Sequence, residues 1–197
     1  SPYAGGGYYA GPALIDGKAF LFPINAQELL VMGDAGIEKT IKLEPLIERP
    51  GAFYTAAAVG TYLFLIPNQY PAMVRYDTKN NQIHYFDIDK NLFIGMSDGE
   101  RRIGGVGVRG SKLYLASPTA PQIVSVDAET GDSRVVTLPT ESQGGCLSMV
   151  CFPGTEDFWI LPWSGNVVTR WNPDTGEIRE YPVAPEGFTC RHMTYGY

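Results

Sequence analysis

The residue types able to do chemistry fall into two groups. Asn68, Gln69, Tyr70, Ser117, Thr119, Trp163 and Ser164 offer amides and hydroxyls beside two large aromatic rings. That mixture suits a neutral polar ligand such as a sugar, stacked on Tyr70 or Trp163 and hydrogen-bonded by Asn68, Gln69 and Ser164. Arg49, Arg101, Arg102, Gln143, Arg191 and His192 form the second group, cationic in a chain of net charge −6. Gathered at one mouth they would take a carboxylate, a phosphate or an acidic sugar; the competing reading is ion pairing with Glu48, Glu100, Glu141 or Glu186. In an enzyme, His192 would be the general base, and Arg102 or Arg191 would stabilise developing negative charge. His84 falls on an outer strand and is discounted.

Weaker signals frame these groups. Asp87, Asp89, Asn91, Ile94 and Asp98 follow the spacing of a calcium loop, but Leu92 stands where the sharp turn needs Gly and no Glu closes it. A plain acidic loop is expected and no metal. Cys146, Cys151 and Cys190 read as small buried packing residues. The chain contains no GxSxG, HExxH, CxxC pair or P-loop, so hydrolase, zinc-protease and nucleotide-triphosphatase readings lack support and no cofactor is expected.

The elements that must position these residues emerge from composition and then from a repeat. Gly at 23, Pro at 15, and 9 Phe, 12 Tyr and 3 Trp in 197 residues favour short strands joined by tight turns. Phe20-Leu-Phe-Pro23, Phe64-Leu-Ile-Pro67, Tyr114-Leu-Ala-Ser117 and Trp159-Ile-Leu-Pro162 recur at spacings of 44, 50 and 45 residues. Eight positions after each closing Pro or Ser comes a second apolar strand: Val31-Met-Gly33, Arg75-Tyr-Asp77, Ser125-Val-Asp127 and Arg170-Trp-Asn172. Each runs into a turn of Asp, Asn and Gly, such as Asp127-Ala-Glu-Thr-Gly131 and Asn172-Pro-Asp-Thr-Gly176, whose residues accept positive φ or bond their own backbone.

A half-exposed outer strand follows each turn, as the alternation in Arg134-Val-Val-Thr-Leu138 shows, and a small-residue inner strand precedes each aromatic cluster. Four strands per unit at a period of ~40–50 residues is the signature of propeller blades. The expected fold is therefore an all-β propeller with blades at 8–44, 52–88, 102–139 and 146–183. Residues 188–197 would begin a further blade. The surplus strand leaves three arrangements: a piece of a longer propeller, a four-bladed ring, or two chains making eight blades. An incomplete propeller or a homodimer is preferred.

Arg102-Ile-Gly-Gly-Val-Gly-Val-Arg-Gly-Ser-Lys-Leu-Tyr-Leu115, with Val124-Ser-Val-Asp127 and Gly131, resembles a kelch-type blade, although Ser117-Pro118 stands where kelch repeats carry a Gly-Gly pair. Asn166-Val-Val-Thr-Arg-Trp-Asn-Pro-Asp-Thr-Gly-Glu-Ile-Arg-Glu-Tyr-Pro182 resembles the blades of virginiamycin B lyase-like propellers. Both resemblances are structural, and propellers host many functions.

In such a fold the loops joining second to third strands would collect the first polar group on one face around the channel. The preferred function is a non-enzymatic module that binds a small polar molecule, a glycan or a protein; a lyase or hydrolase using His192 is the alternative. Net negative charge argues against nucleic acid and against anionic membrane surfaces. Three cysteines favour a reducing, cytoplasmic setting. Secretion is the alternative, since any signal segment is either absent or already removed.

Overall fold

The computed structural model describes residues 7–47, 50–87, 103–138, 145–151, 154–162 and 165–183. Among the described residues, sixteen strands form four antiparallel sheets of four consecutive strands. Blade 1 holds β1 (Tyr9–Ile15), β2 (Lys18–Pro23), β3 (Glu28–Gly33) and β4 (Gly36–Lys42). In blade 2 these are β5 (Phe53–Val59), β6 (Tyr62–Pro67), β7 (Met73–Asp77) and β8 (Gln82–Phe86). Blade 3 follows with β9 (Gly105–Arg109), β10 (Lys112–Ala116), β11 (Gln122–Asp127) and β12 (Ser133–Thr137). Blade 4 is β13 (Cys146–Cys151), β14 (Phe158–Pro162), β15 (Val167–Trp171) and β16 (Ile178–Pro182).

The turn chemistry that separates strands three and four is local. Asp77 Oδ1 accepts from the Lys79 and Asn80 amides, Asp127 Oδ1 from those of Glu129 and Thr130, and Asn172 Oδ1 from those of Asp174 and Thr175, all at 2.9–3.2 Å. Each side chain mimics a backbone turn and reverses the chain at one register.

Two compact units divide the chain, one carrying blades 1 and 2 and the other blades 3 and 4. In unit 1, Ile15, Phe20, Phe22, Leu29 and Val31 of blade 1 pack on Leu63, Leu65, Val74 and Tyr76 of blade 2. In unit 2, Tyr114, Ala116 and Ile123 of blade 3 pack on Met149, Phe158, Ile160 and Trp171 of blade 4. The aromatic positions repeat: Phe20 lies 6.2 Å from Tyr76, and Tyr114 lies 5.9 Å from Trp171. First strands converge within unit 2. A Cβ on Gly105 would stand 2.7 Å from the Met149 amide nitrogen, so glycine alone fits there. Glycines on β9 thus buy close approach with lost strand propensity.

Candidate functional site

At the ends of the second strands, the polar loop residues are largely occupied in holding the chain itself. Asn25 is buried; its Nδ2 donates to the Gly7 carbonyl at 2.8 Å and its Oδ1 accepts from the Gly51 amide at 3.0 Å. Asn68 Nδ2 donates to the Gly51 carbonyl at 3.0 Å, and Gln27 pairs with both backbone groups of Ile47. These amides secure the connection between blades 1 and 2.

Tyr70 corrects the expectation of a stacking platform. Its ring is 2% exposed and lies 4.8 Å from Phe53, while its hydroxyl donates to the Pro45 carbonyl at 2.9 Å. Burial, and next Tyr85, raise its pKa above the ordinary tyrosine value. Ser117 is buried, and its Oγ accepts from the Thr119 and Ala120 amides at 3.3 and 3.2 Å. The Gln69 side chain is half-buried and Thr119 is exposed. Trp163, Ser164, Arg49, Arg101, Arg102, Gln143, Arg191, His192, Cys190 and the calcium-like segment beyond Asp87 lie outside the described residues. His84 is exposed on β8.

A charged cleft lies at the other strand ends of unit 2, where sequence reasoning placed nothing. It is an open cleft of about 660 Å³ between blades 3 and 4. Arg109, at the end of β9, donates through Nε to Glu156 at 2.9 Å and through its terminal nitrogen to both Glu156 and Asp174. Lys112, Ser111, Thr155 and Tyr114 complete the polar lining. Asp174 first, and then Glu156, hold the guanidinium firmly charged, and Arg109 in turn holds the Asp174 carboxyl below the ordinary aspartate value.

Behind this wall Asp157 accepts from Arg170 Nε at 2.6 Å and from Asn172 Nδ2 at 2.8 Å, and those two partners lower its pKa. Cys151 lines the cleft, and burial raises its thiol pKa. Cys146 is buried in the core, its thiol pushed up to about 12, so the small-packing reading holds for it.

Turn length builds this wall. Residues 16–17, 60–61 and 110–111 join first to second strands in blades 1 to 3, whereas blade 4 uses 152–157. The extra residues deliver Thr155, Glu156 and Asp157. A repeat that breaks its own turn length was the legible signal for the site.

Four-stranded antiparallel blades repeated in tandem, with aromatic clusters between them, define a β-propeller. No protein-family model and no curated protein matches the sequence. Among solved structures, a catalytically inactive virginiamycin B lyase from Staphylococcus aureus with quinupristin superposes with a TM-score of 0.61 at 18% identity, covering 92% of this chain and 57% of that one. A streptogramin B lyase gives 0.62 at 16% identity, over 91% and 56%. A WD40-repeat structure gives 0.59 at 11% identity, over 85% and 49%. The chain thus spans about half the length of these propellers, and the likeness is one of fold.

Proposed function

We propose that the chain is a binding module of the propeller type, without catalysis of its own, that takes a polar, glycan-like ligand. The cleft between blades 3 and 4 carries this reading. Its volume of about 660 Å³ falls within the ordinary range for ligand sites. Arg109 and Lys112 balance Glu156 and Asp174, so the lining offers donors and acceptors without a net field. Hydroxyl groups, which both donate and accept, match such a lining better than a bare anion does.

Titration with glucose and with galacturonate, followed by amide NMR, tests the proposal. Binding should move the Gly110, Ser111, Gly154 and Thr155 resonances, and Glu156→Gln should weaken it about tenfold, a cost of about 1.4 kcal/mol. Unmoved cleft resonances, or shifts confined to Gln69 and Thr119, would overturn it in favour of no sugar site or of the loop face.

The likeness to two lyases supports a second reading, an enzyme with His192 as general base and Arg102 or Arg191 as charge stabiliser. It predicts turnover of quinupristin that His192→Ala abolishes while the fold is retained. Equal inertness of both proteins refutes it.

A further inference from the structure

The charges of the unit 2 cleft are balanced in number but sorted by depth. The Arg109 side chain is 15% exposed, whereas those of Glu156 and Asp174 are 72% and 70% exposed. Both carboxylates reach inward to the same terminal guanidinium nitrogen, each through one oxygen, Oε2 and Oδ2. Among the described residues nothing donates to the other two oxygens, Glu156 Oε1 and Asp174 Oδ1. A carboxylate accepts at both oxygens, so each keeps an acceptor for a further partner. Lys112, the other cation of the lining, is divided between two carboxyls: it helps to lower Asp174 after Arg109, and Asp127 after the Thr130 and Glu129 amides.

The second blade of unit 1 has neither acidic group. Asp174 stands two residues after Asn172, and the matching turn position in blade 2, two residues after Asp77, holds Lys79. Glu156 belongs to the long turn 152–157, whose counterpart in blade 2 is the pair Gly60-Thr61. Two separate turns of blade 4 thus bring a carboxylate to one opening.

We infer that the cleft selects an ammonium group, so that its glycan-like ligand is an amino sugar; the inference rests on the cleft being the ligand site. An ammonium carries three N–H donors on one centre, and the Arg109 nitrogen already brings both carboxylates onto a single N–H-bearing cation. Hydrogen bonds between ionised partners are about twice as strong as neutral ones, so an amine gains more here than a hydroxyl does. A uronic acid meets the opposite field. Its carboxylate would approach two exposed carboxylates, while the guanidinium that could hold it lies deeper and is committed to both.

Amide NMR titrations with glucosamine, N-acetylglucosamine, glucose and galacturonate, at about pH 6 where an amine is charged, test this. The acetylated sugar keeps the ring and loses the charge. Glucosamine should move the Gly110, Ser111, Gly154 and Thr155 resonances at about one-tenth of the concentration that glucose or N-acetylglucosamine needs, with galacturonate the weakest of the four. Raising sodium chloride from about 50 mM to about 500 mM should close most of that gap, because exposed charges are screened. Asp174→Asn should bring glucosamine down to the level of glucose. Its backbone amide, not its side chain, serves the Asn172 turn, so the variant keeps its fold by circular dichroism. Glu177→Gln removes a carboxylate that pairs with Arg179 instead, and should leave the preference intact. Equal affinity for glucosamine and glucose at the cleft resonances overturns the amine selection and leaves the polar-ligand reading standing, as does a preference that survives Asp174→Asn. Cleft resonances that stay still with all four sugars overturn both.

Discussion

The junction clefts of the two units start from the same repeat and end differently. In unit 1 the cleft is about 340 Å³, and its lysines are paired along the surface: Lys39 donates to Asn81 Oδ1 at 2.6 Å and to the Tyr76 hydroxyl at 3.3 Å, while Lys18 pairs with Glu38 at 2.6 Å. In unit 2 the volume is about 660 Å³, with Glu156 and Asp174 on an open rim around Arg109. The two-residue turn at 60–61 gives unit 1 no wall, whereas 152–157 gives unit 2 one made of carboxylates. A blade repeat buys a core cheaply in sequence terms, and function enters where one copy departs from it.

The largest test of this contrast is steric. Gly105 pairs with Ala116 on β10 as Ala10 pairs with Phe22 in blade 1. Gly105→Val should cost about 3 kcal/mol, because the new atoms meet Met149 backbone, while Ala10→Val should cost under about 1 kcal/mol. Chemical denaturation measures both, and equal costs would dissolve the distinction between the junctions.

Next in size, replacing residues 152–157 with the Gly-Thr pair found at 60–61 should shrink the unit 2 cleft toward that of unit 1. Loss of any bound sugar with retention of the β circular-dichroism spectrum is the expected outcome. Retained binding would move the site elsewhere.

Smaller again, Tyr76→Phe removes a hydroxyl that accepts from Lys39 and donates to Asn81 at 2.6 Å in unit 1. A loss of about 1 kcal/mol is expected, since a buried hydrogen bond is worth about that much. The unit 2 cleft should be indifferent to it.

The smallest effect is that of acid, and it sharpens the comparison by sign. Unit 2 holds Asp127, through the Thr130 and Glu129 amides, Asp157, through Arg170, and Asp174, through Arg109, below the ordinary aspartate value. In unit 1 Asp77 is so lowered; burial opposes the effect there, and the Asn80 side chain with the Asn80 and Lys79 amides prevails. A carboxyl whose folded pKa is depressed contributes stability that is present above its unfolded pKa, near 3.8, and is lost as pH falls through the folded value. Unit 2 should therefore loosen first below about pH 4. All three tryptophans, at 159, 163 and 171, lie in unit 2, so their fluorescence reports it selectively, and a transition seen earlier by circular dichroism than by fluorescence would reverse the assignment.

Much of the fold was legible because its determinants are local. The aromatic clusters, the offset of eight and the Asp or Asn turns each depend on neighbours a few residues away, and the observed strands follow them. The candidate site was far less legible. Asn68 and Ser117 were read as ligand groups from their type and loop position; in the structure Asn68 Nδ2 donates to the Gly51 carbonyl and Ser117 Oγ accepts from the Thr119 and Ala120 amides. Tyr70 was read as a platform, and its ring is enclosed against Phe53. Polar residues in tight loops have backbone donors and acceptors closer than any ligand, and residue type alone does not reveal which they choose.

By itself the sequence determined the repeat, the order of strands within each blade and the turns that end them, since alternation and turn chemistry act over a few residues. It also held the longer turn at 152–157, as a departure in spacing. Only the tertiary structure decided that Arg109 meets Glu156 and Asp174, which stand 47 and 65 residues further along the chain. That outcome depends on which blade packs against which, and that is set by burial of apolar surface across the junctions rather than by any short-range pattern.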